Sequence, residues 1–260
     1  MLLRTALLFF AISLFCFGAD NGIQLKGIKS VENREIQFFI KKGENIDTKS
    51  KEIIDMERVS AVSKFYPIKI SGNGNDTIQM KAFENERAKL KIVRENTSGW
   101  EVEERGDDVY IYRTTASFAV KDETKKVKKN ITQNLKIDRE SYREGEYQKV
   151  KLYLSGEGYY AFFVIYDNMS IRFIEPPASN KARYIDSKGD TMGEWELLYV
   201  TKPEKSGREQ LLYSVISKEY IDFEEKIGGK VMELSEFVKL MEDKDILSET
   251  VLKYYVDEKE

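Results

Sequence analysis

The sequence predicts a mainly β fold, made of two antiparallel β-sandwich-like domains with a short helix in the first and a helical tail at the C-terminus. Apolar residues recur at every second position through much of the chain, and polar turn segments separate these runs. Aromatic residues make up 12% of the composition and supply bulky core side chains. Alternation of this kind indicates strands with one buried face, because successive side chains of a strand point to opposite sides.

The first residues have the layout of a signal peptide, which we assign to residues 1–19. Arg4 precedes an almost unbroken apolar run, Leu7–Phe17, and the small residues Gly18 and Ala19 end it. The length of this stretch is close to the roughly 20 residues that are needed to span a bilayer. A retained membrane anchor is therefore the alternative. Cleavage would leave a mature chain that begins near Asp20, has no membrane span, and is periplasmic or secreted.

The cysteine and histidine counts exclude several mechanisms. The only cysteine, Cys16, lies in the predicted signal peptide, and the chain has no histidine. Ser-His-Asp and Cys-His catalysis are therefore excluded, as are zinc and haem sites built on these residues. Lipidation of Cys16 is an alternative fate of the N-terminus, but the bulky Phe15 before it disfavours that modification. We expect no catalytic residue, no cofactor and no metal site.

The charge composition disfavours nucleic acid as a partner. The chain has 42 Lys and Arg residues against 45 Asp and Glu residues, which gives a formal net charge of −3. Proteins that bind nucleic acid usually show a basic surplus on one face, and the densest basic run, 121–129, lacks interleaved aromatic residues. We interpret 124–136 as a Lys-rich linker between a β-rich domain, 20–123, and a β-sandwich domain, 137–225.

The first domain is expected to contain short strands and one helix. Residues 35–41 partly alternate before a turn at 43–45. Apolar residues at every third position from Ile53 to Phe65 indicate an amphipathic helix that ends before Pro67. Alternation then predicts strands around Ile78–Ala82, 90–92, 100–104, 109–112 and 118–120. The segments 100–104 and 109–112 are expected to form a hairpin across Gly106.

The second domain contains the most informative segments. Val150–Leu154 alternates, whereas Tyr159–Tyr166 is a nearly continuous apolar run, which indicates a strand buried on both faces. A strand at 171–174 follows, and further strands are expected at 194–200 and 209–217. Beyond Gly229, helical spacing predicts a tail at 230–257 whose apolar stripe consists of Leu234, Phe237, Val238, Met241, Leu247, Val251, Leu252 and Tyr255.

Several features between residues 137 and 223 carry a resemblance to a known family. They are the turn 142–146, the glycine-aromatic strand Gly158–Tyr166, the Pro-containing segment 173–177, the strand 194–200, and the strand 209–217 ending in Ser217. Together they resemble the bacterial domain of unknown function four-three-eight-four. Thr191–Gly193 and the doubled proline depart from the family's pattern. The resemblance implies a compact β-sandwich in an exported envelope protein and supplies no catalytic residues.

These observations favour an exported, non-enzymatic protein of a bacterial envelope that binds or assembles with an envelope protein partner. One alternative is a glycan- or peptidoglycan-binding module, which needs an aromatic-lined groove with adjacent carboxylates. Another is a carboxylate hydrolase, which needs two acids in a cleft.

Candidate partner-binding residues come from aromatic and apolar groups, since such groups are enriched at interfaces. Tyr110 and Tyr112 are expected to face outward on the hairpin, opposite Val109 and Ile111. The tail contributes Phe237, Met241 and Tyr255 if its apolar stripe is exposed; the competing interpretation is a helix pair packed on the second domain. Further candidates are Tyr153, Tyr159 and Tyr199.

Overall fold

The structure is a computed structural model that describes residues 28–67, 70–122, 131–174, 184–185, 196–201, 207–223 and 230–257. Strands account for 53% and helices for 22% of these residues, so the predicted mainly β class is confirmed. The predicted signal peptide lies outside the described residues. Within them, no helix combines the length and the apolar character needed to cross a membrane.

The helices and strands follow one another in this order. The N-terminal half contains β1 (Ile28–Lys41), α1 (Ile46–Ser63), β2 (Ile70–Ser71), α2 (Ile78–Lys91), β3 (Ile92–Thr97), β4 (Glu101–Gly106) and β5 (Val109–Lys121). The C-terminal half contains β6 (Gln133–Ile137), β7 (Ser141–Arg143), β8 (Tyr147–Leu154), β9 (Gly158–Tyr166), β10 (Ser170–Ile174), β11 (Tyr184–Ile185), β12 (Glu196–Tyr199), β13 (Glu209–Ser217), β14 (Val231–Glu233), α3 (Leu234–Glu242) and β15 (Ile246–Asp257).

Sheet A is the N-terminal sheet, with strand order β1-β5-β3 and β4 also paired to β5. Phe38 of β1 and Phe118 of β5 are buried on its inner face together with Ala61 of α1. Helix α1 begins at Asn45, whose side chain accepts a hydrogen bond from the Thr48 N–H. The helix predicted within 53–65 and the hairpin across Gly106 are both confirmed.

The C-terminal half forms layers around one large sheet. Sheet B has the order β14-β10-β9-β13-β15-β2, with β11 paired to β9 and β7 to β15, and sheet C has the order β12-β8-β6. Sheet C packs on one face of sheet B, and α2 and α3 pack on the other. Phe162 and Val164 of β9 face sheet C, and Phe163 and Ile165 face the helices. The strand predicted to be buried on both faces is therefore confirmed.

Residues 78–91 form helix α2, so the strands predicted around Ile78–Ala82 and at Leu90 are wrong. The Thr77 hydroxyl caps the helix by accepting a hydrogen bond from the Met80 N–H at 3.3 Å. Met80 and Phe83, three positions apart, are buried in the core between the helices and sheet B. The apparent alternation of Ile78 and Met80 does not mark one buried face, because Ile78 is 73% exposed whereas Met80 is buried.

The predicted helical tail is a helix followed by a strand. Helix α3 matches the first half, whereas Leu247 and Tyr255 belong to strand β15, so the second half of the prediction is wrong. Strand β15 pairs with β13 along most of its length. Val251 contributes to the core under the helices and Tyr254 to the core under sheet C, so both faces of the strand are covered.

Two segments of the predicted first domain reach sheet B. Strand β2 pairs in parallel with β15, and α2 packs beside α3. Of the predicted linker, 124–130 lies outside the described residues, and 133–136 belongs to strand β6. The division into domains 20–123 and 137–225 stays a prediction.

Candidate functional site

Tyr110 and Tyr112 lie on the inner side of sheet A, not on the outer side as predicted. Tyr112 is directly opposite Phe38, and the two rings stack with centroids 5.5 Å apart and an angle of 11° between their planes. Trp100 lies edge-on to Phe38 at 5.1 Å. The neighbouring residue Ile111 faces the other side of the sheet. Both tyrosines are partly buried, and Tyr112 packs against the sheet A core.

Phe237 and Met241 lie in the core between α3 and sheet B. Phe237 is fully buried, and its ring centroid is 4.8 Å from that of Phe163. Helix α3 is therefore packed, as the competing interpretation of the tail expected. Tyr255 lies apart from them on β15, 36% exposed and opposite Ser141. The five predicted residues do not form one surface.

An aromatic and basic surface covers the outer side of sheet C. We call it the Lys–Tyr face, and it consists of Lys136, Tyr147, Lys149, Lys151, Tyr153 and Tyr199. Strand β8 produces most of it through strict alternation: Val150 and Leu152 are fully buried against sheet B, and the residues between them point away. Tyr153 and Tyr199 were candidates from the sequence, whereas the lysines and Tyr147 were missed.

Tyr147 and Tyr199 form the aromatic end of the Lys–Tyr face. They are directly opposite each other on β8 and β12, edge-to-face, with ring centroids 5.5 Å apart. Their exposed fractions are 49% and 48%. The Gly145 N–H donates to the Val200 carbonyl at 3.0 Å, and the Val200 N–H donates to the Glu146 carbonyl at 2.9 Å. These bonds fix the end of β12 against the start of β8, which holds the two rings in place.

The lysines lie toward the other end of the same face. Lys136 on β6 is directly opposite Lys151 on β8, and their Nζ atoms lie 5.3 and 5.6 Å from the centroid of the Tyr153 ring. Exposed Lys149 is two residues from Lys151 on the same side. In the part of the chain that the structure describes, neither Lys136 nor Lys149 forms an ion pair.

A small cleft of about 50 Å³ lies between α2, α3 and β15 and is lined in part by Met241. Arg87 Nη1 donates to both carboxylate oxygens of Glu249, at 2.6 and 2.8 Å, and the Tyr213 hydroxyl also donates to Glu249. Burial alone would lower the pKa of the Arg87 guanidinium, but the charges of Glu249, Tyr213 and Glu84 and the hydrogen bonds to Glu249 together raise it. Burial and the charge of Glu249 raise the pKa of Tyr213 well above its ordinary value.

These groups satisfy one another, so the arrangement joins α2 to β13 and β15 and presents neither an acid nor a base for chemistry. Throughout the described ranges, no group of three or more side chains from His, Cys, Asp and Glu is arranged to hold a metal ion.

A second aromatic group lies where strand β9 begins. The Tyr159 ring centroid is 4.9 Å from that of Tyr184 and 5.9 Å from that of Tyr220. The Tyr184 hydroxyl donates to Glu157 Oε2 at 3.0 Å. Aromatic rings next to a carboxylate are what the glycan alternative requires.

A comparison of the chain with models of known protein families gives no match, and neither does a comparison with functionally characterised proteins. The resemblance of residues 137–223 to the domain of unknown function four-three-eight-four therefore stays a prediction.

Proposed function

We propose that this chain is an exported, non-enzymatic protein of a bacterial envelope that binds or assembles with an envelope protein, and that Tyr147 and Tyr199 anchor the contact. The observation that supports the proposal is the exposure of these two paired rings on a packed sheet. Tyrosine is enriched at protein interfaces, where its ring supplies apolar area and its hydroxyl a hydrogen bond.

The packing of sheet C beneath Tyr147 and Tyr199 favours binding. Val150 and Leu152 bury their side chains in the core between sheets C and B, and the backbone bonds around Gly145 hold β12 beside β8. Side chains that are already ordered lose little conformational entropy when a partner binds. Two pre-positioned rings are therefore suited to serve as the central contacts of an interface.

The alternative is a module that binds glycan or peptidoglycan. The observation that favours it is the group of Tyr159, Tyr184 and Tyr220 beside Glu157. A sugar ring could rest on an exposed tyrosine while its hydroxyls bond to the carboxylate. Tyr159 lies on β9 and Tyr184 on β11, whereas Glu157 precedes β9 and Tyr220 follows β13. The group shares no residue with the Lys–Tyr face, so the two functions can be tested independently.

The test is a mild-crosslinking pull-down of the tagged mature chain, Asp20–Glu260, from an envelope fraction. One variant carries Tyr147→Ser and Tyr199→Ser, and the matched control carries Tyr184→Ser and Tyr220→Ser, which also removes two exposed tyrosines. We expect the first variant to lose a specific protein partner and the control to retain it. Equal capture by both variants and the unsubstituted chain would contradict the proposal. If only the variant with Tyr184→Ser and Tyr220→Ser loses binding to glycan, the result would support the alternative.

Truncation before Lys230 is not a suitable test. It would remove α3 and β15, which supply buried residues to both cores of sheet B. If the truncated chain lost its partner, the result would show only that the chain had unfolded. Surface substitutions leave these cores intact, so they separate the contact from the fold.

A further inference from the structure

We infer that strand β1 pairs with β1 of a second copy of this chain, antiparallel, through residues 35–41. The inference goes beyond the proposed function, because it concerns sheet A and uses none of the residues of the Lys–Tyr face. Its basis is a long strand edge whose sequence is complementary to itself.

Strand β1 is the longest strand at an edge of the described sheets. It has 14 residues and pairs with β5 alone among the described residues, whereas no other edge strand has more than six residues. Proteins usually protect a sheet edge with short strands, prolines or bulges, because unpaired backbone groups recruit other strands. Residues 35–41 contain no proline and no shift of register against β5.

The pairing with β5 shows which backbone groups of β1 face this edge. The Lys42 N–H donates to the Asp108 carbonyl at 2.8 Å, directly beyond the last paired residues of the two strands. Residues of an antiparallel pair alternate between those that bond to the partner strand and those that point away from it. The odd-numbered residues of 35–41 therefore point away from β5. The Lys41 N–H agrees with this pattern, since it donates to the Glu44 carboxylate at 2.8 Å.

The charges of the segment select a second copy in one register. When two copies of β1 pair about Phe38, Glu35 lies opposite Lys41 of the second copy, and the contact repeats across the two-fold axis. Opposite charges at facing positions stabilise a sheet, and any other register separates these two. Within one chain, Thr115 and Val109 lie opposite Glu35 and Lys41 on β5. Both side chains are exposed, and no described residue forms an ion pair with either.

The exposed ring of Phe39 is a second feature that this pairing explains. The side chain is 58% exposed on the outer side of sheet A. In the same register, Gln37 of the second copy lies opposite Phe39, and Phe39 of the second copy is its diagonal neighbour. Diagonal neighbours lie within reach of aromatic side chains, so each ring covers part of the other.

The paired segment has a defined end on each side. Gly43, with φ of +92°, turns the chain just after β1. Arg34 and Lys42 are the next residues to face each other, and both are balanced within their own chain. Arg34 Nε lies 3.9 Å from Glu57, and Lys42 Nζ lies 3.1 Å from Asp108. Only Glu35 and Lys41 are left to pair between copies.

The experiment measures the dissociation constant of the dimer of the mature chain, residues 20–260, by sedimentation velocity over a range of concentrations. The test variants are Glu35→Lys and Lys41→Glu, each of which places like charges opposite each other twice. We expect either variant to weaken the dimer by at least about tenfold. The matched control, Lys81→Glu, makes the same change of charge at an exposed position of helix α2 and should change the constant by less than about twofold.

Exchange of the two charges separates the contact from the fold. The double variant Glu35→Lys with Lys41→Glu restores opposite charges at the facing positions, so its dissociation constant should lie within about threefold of that of the unsubstituted chain. An equimolar mixture of the two single variants should form a mixed dimer, because both facing pairs then carry opposite charges.

A chain that stays monomeric up to about 100 μM would overturn the inference. So would equal weakening by Lys81→Glu, or a double variant that dimerises no better than the single variants. If the chain is monomeric but Glu35→Lys loses an envelope protein in the pull-down, the edge pairs with a strand of another protein, and the second copy is wrong.

Discussion

Replacing Arg87 with methionine tests how strongly helix α2 is joined to sheet B. Methionine keeps most of the side-chain volume beside Phe83, whose ring centroid lies 5.4 Å from the guanidinium carbon. The change removes the two hydrogen bonds that Arg87 donates to the buried Glu249 carboxylate, whereas the bond from the Tyr213 hydroxyl remains. Removing one partner of a buried ion pair costs about 3–5 kcal/mol. The Arg87 side chain is 27% exposed, so water can compensate in part, and we expect a loss of about 2–4 kcal/mol.

Urea unfolding provides the free energies. The double variant Arg87→Met with Glu249→Gln also removes the negative charge of Glu249 and keeps an acceptor for the Tyr213 hydroxyl. It should therefore be more stable than Arg87→Met alone. A coupling of at least about 1 kcal/mol would result. The matched control is Arg105→Met, which breaks an exposed pair with Glu103 and should change the unfolding free energy far less, because water screens both charges. If Arg87→Met costs no more than this control, the network does not join the two segments.

Three further predictions concern the core, a backbone turn and alkaline pH. Phe237→Ala should lower the unfolding free energy by about 3–5 kcal/mol in urea titrations, because the ring is fully buried; a loss under about 1 kcal/mol would indicate an exposed helix α3. Gly72→Ala should lower the melting temperature far more than Gly43→Ala. Both glycines have positive φ, but a Cβ at Gly72 would lie 1.6 Å from the Val251 carbonyl oxygen, whereas one at Gly43 meets nothing within 4 Å; similar losses would contradict this. Burial is the largest cause that raises the pKa values of Tyr142, Tyr166, Tyr213 and Tyr254 in the folded chain. Their contribution to stability is therefore complete below the unfolded pKa near 10 and is lost as pH rises above it. For Tyr142, Tyr213 and Tyr254, whose pKa values are raised most, the loss at pH 11 should be about 1 kcal/mol per tyrosine. Unfolding free energies that are equal at pH 9 and pH 11 would refute the burial of these hydroxyls.

Strands with one wet face were predictable from the sequence. Strand β8 alternates along its length, because water and core impose opposite preferences on neighbouring positions. The hairpin of β4 and β5 was recognisable from its turn at Gly106, although Val102 of β4 is 55% exposed. The fully buried β9 was also recognisable, since its apolar run is too short for a typical helix and is bounded by turns.

Helix α2 was predicted as strands and strand β15 as part of a helix, for opposite reasons. The helix carries few apolar residues, so its spacing was outweighed by a chance alternation that begins at Ile78; the cap at Thr77 was the signal that could have corrected it. Strand β15 is covered on both faces, so it shows no alternation. Its β-branched and aromatic residues between Thr250 and Val256 were the better indicator.

The candidate site was harder to predict from the sequence than the fold was. Alternation shows that Tyr110 and Ile111 lie on different faces of sheet A, but it does not show which face packs against a helix. Helix α1 packs on the face to which the tyrosines belong. The Lys–Tyr face needs three strands from distant segments in the correct register. Lys149 and Lys151 are visible in one strand, but the opposition of Lys136 follows only from the pairing of β6 with β8.

The most direct test of the docking surface is site-specific photo-crosslinking in cells that produce the protein. A benzoylphenylalanine side chain replaces Tyr199 on the Lys–Tyr face in one variant and Tyr220, which is also exposed, in the other. We expect a covalent adduct with one envelope protein from position 199 and none of that adduct from position 220. The same adduct from position 220, or no adduct from position 199, would contradict it.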